Sequence, residues 1–157
     1  ERAVGGEPFA VLLADDFLDY DDGGVTSDLV RNFEKSAKSQ LSVMEVNGPD
    51  ISKYGVVIPG EKTGSVKGLT EKPKADDAPS NLASIGRYAL SPDIFDILRS
   101  QAPGAGGEIQ LADAIHTQAK RGGVEAVPLS GLRFDCGSVD GYIDAIAYMA
   151  AKRRSGD

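Results

Sequence analysis

The 157 residues are 41% hydrophobic and 26% charged, with 19 Gly and 8 Pro, a composition that supports one domain with its own core and argues against global disorder. With 17 Lys and Arg against 24 Asp and Glu the net charge is −7, which excludes the basic footprint of a non-specific nucleic-acid binder but not a small phosphorylated ligand met by one lysine and a metal ion. The only cysteine, Cys136, excludes an intrachain disulfide and an all-cysteine zinc site; no run approaches the ~18 apolar residues of a membrane span, and residues 1–6 form no signal peptide. A soluble protein of a reducing, cytoplasmic compartment is expected, with neither membrane nor nucleic acid as partner.

The first strong element is Phe9-Ala10-Val11-Leu12-Leu13-Ala14, a continuous apolar run of strand length that ends at Asp15-Asp16. Such a run suits a strand covered on both faces at the centre of a parallel sheet, although little chain precedes it to supply neighbours. A polar stretch over 19–24 leads to a helix over 26–38, capped by Thr26, with Leu29, Val30 and Phe33 on one face. Residues 40–46, 54–58 and 64–71 read as strands, the last two as an antiparallel hairpin. Two prolines and several charges make 72–81 a loop, and 83–90 is again a strand.

Ser91-Pro92 predicts a helix start, a capping hydroxyl before proline at the first helical position, with the helix ending near Ser100. The Pro103-Gly104-Ala105-Gly106-Gly107 stretch breaks the chain before a helix over 108–121 with Leu111, Ile115 and Ala119 in one stripe. A strand over 124–129, a turn at Asp135-Cys136-Gly137 and a last helix capped by Ser138 and running to Lys152 complete the pattern. Strands and helices alternate throughout, which gives an α/β fold with a mixed sheet.

Few residues suggest chemistry by themselves. Asp15-Asp16 stands at the carboxyl end of an apolar strand, the edge where open α/β sheets bind ligands; an aspartate there holds Mg²⁺ through hard oxygens, or merely begins a solvated loop. Asp135 stands before Gly137 and a helix start, where backbone and ligand approach closely. Glu71-Lys72 combines a carboxylate for sugar hydroxyls with an ammonium for phosphate, but taken alone it reads as an exposed ion pair. The glycines over 104–107 lack the lysine and hydroxyl of a phosphate loop. His116, the only histidine, reads as a helix-surface residue and Cys136 as a small packed side chain.

Taken together and in order, Phe9 to Asp16, Tyr54-Gly55-Val56-Val57, Glu71-Lys72-Pro73-Lys74, Ala78-Pro79-Ser80-Asn81-Leu82-Ala83, Gly86-Arg87-Tyr88, Gly104 to Ile115 and Phe134-Asp135-Cys136-Gly137 make the chain similar to the bacterial UTP–glucose-1-phosphate uridylyltransferase family, within the sugar-1-phosphate nucleotidylyltransferases. The resemblance runs from Glu7 to Ala150. It implies a Rossmann-like nucleotidyltransferase mixed sheet flanked by helices, present in part, with residues 1–157 as the C-terminal, sugar-phosphate and metal side of a single catalytic domain.

The resemblance further implies Mg²⁺ as cofactor, held by Asp15 and Asp135; Lys72 on the sugar phosphate, catalytic together with Asp15; Glu71 on glucose hydroxyls; and Gly55 and Gly86 against the substrate by backbone. Ala14 and Asp16 flank Asp15 where the family often has proline and a non-acidic residue, so Asp16 is the alternative ligand, and Ala112 stands where threonine is common. The substrates implied are UTP and glucose 1-phosphate, the products UDP-glucose and pyrophosphate, and the assembly a homo-oligomer. No segment matches the family's Gly-x-Gly-Thr-Arg loop, so the chain alone is expected to be inactive. The competing expectation is a sugar-phosphate-binding or regulatory module without transferase activity.

Overall fold

The computed structural model describes residues 1–20, 23–104 and 107–156; parts of the expected polar stretch at 19–24 and glycine break at 103–107 lie outside the described residues. Among the described residues the order is β1 (Phe9–Leu12), β2 (Asp16–Asp19), α1 (Val25–Ser36), β3 (Ser39–Glu45), β4 (Gly55–Pro59), β5 (Val66–Glu71), β6 (Leu82–Leu90), α2 (Ile94–Ser100), α3 (Leu111–Lys120), β7 (Val124–Pro128), β8 (Leu132–Asp135) and α4 (Val139–Ser155). Two 3₁₀ turns, Pro49–Lys53 and Ala75–Asp77, flank the β4–β5 hairpin.

The main sheet has the order β5-β4-β6-β3-β7, with β1 added beside β6. Strand β6 organises it. One edge is taken along its length by β3; the other is shared by β4, opposite Ala83 and Ser84, and β1, opposite Arg87 to Leu90. Among the described residues only the β3–β7 pair is parallel, so the sheet is mixed, as expected. The predicted hairpin forms with Gly55 opposite Glu71.

On one sheet face, Leu41, Val43, Val57, Leu69, Leu90 and Val124 pack against Ile94, Ile97 and Ile115 of α2 and α3, and each fully buried Leu or Ile there stabilises by roughly 1.5–3 kcal/mol. Successive strand residues alternate between faces, so Ala89 turns to the other side, where Val25 and Leu29 of α1 cover it.

Helix α3 starts at Leu111 and not at Glu108, and three further expectations need correction. Strand β1 is not a central strand covered on both faces: it runs antiparallel to β6 and its burial alternates, Phe9 and Val11 packing on the core while Leu12 is 56% exposed. An apolar run signals burial on two faces, but the described chain covers only one. Helix α1 begins one residue before Thr26 with Gly24 as cap and no side-chain cap bond. Helix α2 starts only at Ile94, and Ser91 caps none of its backbone: its Oγ donates to Asp93 Oδ1 and accepts from Gln118 Nε2 at 2.8 Å, and its N–H is taken by Ser39 Oγ at 3.0 Å.

The four-residue strands β2 and β8 had no sequence signal, being short and half charged. They form a separate antiparallel ribbon that sets Asp16 opposite Asp135 and Phe17 opposite Phe134. Helix α4 docks on this ribbon. Ser138 caps it as expected, accepting from Gly141 N at 3.1 Å. Its inner face presents Ala145, Tyr148 and Lys152: the Tyr148 ring lies 5.1 Å from Phe134, and Tyr148 Oη and Lys152 Nζ donate to Asp19 Oδ2 at 2.5 and 2.7 Å. Its outer face exposes Val139, Tyr142, Ile143, Ile146 and Met149.

Candidate active site

The turn from β1 to β2, the end of the β4–β5 hairpin, the middle of β6, the start of α3 and the end of β8 enclose a cleft of about 400 Å³. Asp15, Gly55, Glu71, Lys72, Gly86 and Asp135 all line it. Sheet register performs this convergence. Antiparallel pairing of β4 with β5 brings Gly55 to Glu71, and pairing of β2 with β8 brings the aspartates at their ends together.

At the hairpin end, a Cβ built on Gly55 would lie 3.1 Å from Glu71 Oε2, so glycine there leaves the carboxylate its room. Lys72 has a φ of 43°, a left-handed conformation that costs a non-glycine residue of order 1–3 kcal/mol and persists where the surroundings fix it. Its N–H is held by Tyr54 O at 3.0 Å and Pro73 follows it, buried. The Lys72 ammonium stands 4.0 Å from Glu71 Oε1 with 65% of its side chain exposed. An exposed pair of this kind contributes ~0–1 kcal/mol, so both charges remain accessible to a ligand.

The two neighbouring aspartates at the β1–β2 turn have different environments. Asp16 is 5% exposed; Arg133 Nε and Nη2 both engage its Oδ1, and Gly86 N–H donates to its Oδ2 at 2.5 Å. Asp15 is exposed, and its backbone carbonyl accepts from Cys136 N at 2.7 Å. That bond draws Asp15 to the end of β8. A Cβ built on Gly137 would lie 3.1 Å from Asp135 Oδ1 and 3.2 Å from Asp15 Oδ2, so the two carboxylates border one small space that the missing side chain leaves open.

These two hard-oxygen donors fit Mg²⁺, which is held through one or two carboxylates and completes its shell with water and substrate phosphate. Among the described residues no group of three or more His, Cys, Asp or Glu is arranged for a metal. With both its oxygens engaged, Asp16 is the less available of the two candidates.

Gly86 has its polar groups occupied: its N–H serves Asp16, and its carbonyl accepts from Leu13 N at 2.9 Å and Arg87 Nη1 at 2.9 Å. What it contributes is space, since a Cβ would collide with Leu13 and the Asp16 carboxylate. Arg87 also donates to Leu13 O and Asp16 O at 3.1 and 2.8 Å, fixing the turn that presents Asp15. Arg133 is 11% exposed and lies over the Tyr54 ring, its Nη1 donating to Tyr54 Oη at 3.1 Å. Burial works against its charge, but Asp16, Tyr54 and Asp135 together outweigh that and hold the guanidinium above its ordinary range. Burial likewise pushes the Tyr88 phenol in the cleft wall above its ordinary value. His116 lies outside this lining, partly buried against β5, with Nδ1 accepting from Leu69 N at 3.1 Å.

Arg133, Arg87 and the Tyr54 hydroxyl are site residues that sequence reasoning missed. Arg133 had a usable signal: it precedes Asp135 by two, and a strand places such residues on the same face. The others depend on register.

A family model described as nucleotidyl transferase matches residues 1–152. The UTP–glucose-1-phosphate uridylyltransferase of Pseudomonas aeruginosa is 48% identical over 147 residues, covering 90% of this chain and 52% of the relative. A crystal structure of UDP-glucose pyrophosphorylase complexed with UDP-glucose superposes with a TM-score of 0.90 at 44% identity, over 97% of this chain and 59% of that one. The UTP-bound enzyme from Acinetobacter baumannii superposes with a TM-score of 0.81 at 33% identity, over 94% and 52%. The chain thus spans about half the length of the curated relatives it matches, and it belongs to the nucleotidyl transferase family.

Proposed function

We propose that this member of the nucleotidyl transferase family carries the sugar-phosphate and metal side of a UTP–glucose-1-phosphate uridylyltransferase site. The carrying observation is the convergence of Asp15, Asp135, Glu71 and Lys72, from both ends of the chain, on one cleft. In this reading Lys72 holds the phosphate of glucose 1-phosphate and Glu71 accepts hydrogen bonds from the sugar hydroxyls. Asp15 and Asp135 would hold Mg²⁺, which would supply positive charge against the phosphates of the two anionic substrates. Two relatives whose names include UDP-glucose or UTP-bound forms support the substrate classes.

The proposed reaction is an in-line displacement. An oxygen of the sugar phosphate forms a bond to the α-phosphorus of UTP, the bond from that phosphorus to the bridging β-phosphate oxygen breaks, and pyrophosphate departs. No covalent enzyme intermediate is involved, and what these residues supply is position and charge. Both sides of the Lys72 backbone are fixed, by the Tyr54 carbonyl on its N–H and by buried Pro73 after it, so the point from which its ammonium reaches into the cleft is set before substrate arrives.

The test is the transfer assay with this chain complemented by the part of a curated relative that it does not match, supplied with UTP, glucose 1-phosphate and Mg²⁺. UDP-glucose and pyrophosphate are expected in equal amounts, with turnover strongly reduced in Asp15→Asn and Asp135→Asn. Binding of glucose 1-phosphate without any pyrophosphate release would favour the sugar-phosphate-binding module instead.

A further inference from the structure

One guanidinium in the cleft wall belongs to neither proposed ligand-binding corner, yet it touches both. Arg133 Nε and Nη2 engage Asp16 Oδ1, and Nη2 also lies 3.7 Å from Asp135 Oδ2. On the other side Nη1 donates to Tyr54 Oη at 3.1 Å, with Cζ 5.2 Å from the ring centre. The carbonyl of the same Tyr54 accepts the Lys72 N–H at 3.0 Å. A continuous line of contacts therefore runs from Asp135 through Arg133 and Tyr54 to Lys72.

Neutralising Asp16 does not require the arm that reaches Tyr54. A guanidinium is planar and presents its donors in a rigid fork. Fixing two of its nitrogens on Asp16 and a third on Tyr54 therefore sets the spacing between the β2–β8 ribbon and the start of β4. The ribbon and the main sheet are separate sheets with no ladder between them; Gly86 and Arg87 hold Asp16 against β6, and it is Arg133 that reaches from the ribbon to the start of β4.

We propose that Arg133 is a positioning residue, holding the carboxylate corner of β2 and β8 and the Tyr54–Lys72 backbone in one register. What the two corners bind rests on the function proposed above; the tie itself is a property of the chain without ligand.

Amide hydrogen exchange on the full chain tests it, comparing parent, Tyr54→Phe and Arg133→Lys. Tyr54→Phe keeps the ring under the guanidinium and leaves the Asp16 pair intact, removing only the hydroxyl. Exchange at Lys72 should then rise about three- to tenfold, the range for losing one ordinary hydrogen bond, while the Cys136 amide on Asp15 O stays as in the parent. In Arg133→Lys, where one point charge replaces the fork, both amides should exchange faster while Leu41 and Val57 in the core strands do not. Unchanged exchange at Lys72 in Tyr54→Phe, or a rise spread evenly through the core strands, overturns the tie and leaves Arg133 as the counter-charge of Asp16. If Arg133→Lys does not fold, Tyr54→Phe decides alone. Titration of the parent with glucose 1-phosphate and Mn²⁺ separates the two claims: a parent that binds neither, with exchange changing as expected, refutes the proposed function and upholds the tie.

Discussion

Asp15→Asn and Asp16→Asn make the same exchange one position apart, yet only the second should disturb the fold. Asp16 is 5% exposed and Arg133 11%, with the guanidinium on one carboxylate oxygen and the Gly86 N–H on the other. Asp16→Asn would leave the buried arginine charge only the half-exposed Asp135 carboxylate, 3.7 Å away, and breaking a buried pair from one side costs about 3–5 kcal/mol. For a chain of this size each kcal/mol moves the melting midpoint by about 2–4 °C, so this variant should melt roughly 6–20 °C below the parent. Asp15 is exposed and its carboxylate holds no protein partner among the described hydrogen bonds and ion pairs, so Asp15→Asn should stay within about 0.5 kcal/mol. Thermal and urea unfolding followed by circular dichroism reads both variants against the parent. An Asp16→Asn protein that melts within about 2 °C of the parent would refute the assignment of Asp16 to the fold and return it to the list of metal ligands.

Gly86→Ala should lower stability by about 1–3 kcal/mol or more, because the new Cβ would lie 2.6 Å from Leu13 Cβ and press on the Asp16 carboxylate; urea unfolding measures it, and a parent-like midpoint would show that the β1–β2 turn yields easily. Donation from Lys152 and Tyr148 holds Asp19 below its ordinary value of 3.8, so its contribution to α4 docking is present above that pH and is lost as pH falls below it. Protection of the α4 amides, taken relative to the unstructured exchange rate at each pH, should fall below about pH 4 in the parent and should already be low at neutral pH in Asp19→Asn; the same pH dependence of protection in both would refute the linkage.

Much of the architecture was legible because it is written in local signals. The β4–β5 hairpin shows β-branched runs with turn residues between them, and the Ser138 cap is a hydroxyl placed just before a helix; both form as read. Strand β1 was legible as a strand but not in its place, because an apolar run reports hydrophobicity and not which neighbours supply the cover. Strands β2 and β8 were silent: Asp-Phe-Leu-Asp and Leu-Arg-Phe-Asp are too short and too charged to stand out, and only pairing with each other makes them strands. The candidate site divides the same way. Glu71, Lys72 and Asp135 belong to contiguous motifs, whereas the division of labour between Asp15 and Asp16 is decided by Arg133, which lies far along the chain and meets Asp16 only once the ribbon has closed.

Whether Lys72 and Glu71 hold glucose 1-phosphate is decided by calorimetric titration of that ligand into the chain in the presence of Mg²⁺. Saturable binding is predicted for the parent. Lys72→Ala should weaken it about 10- to 150-fold, the loss of one charge-assisted hydrogen bond of ~1.5–3 kcal/mol, and Glu71→Gln should instead narrow the difference between glucose 1-phosphate and its hydroxyl epimers. Parent-like affinity and selectivity in both variants, the behaviour of an exposed Glu–Lys pair with no ligand to hold, would contradict the account.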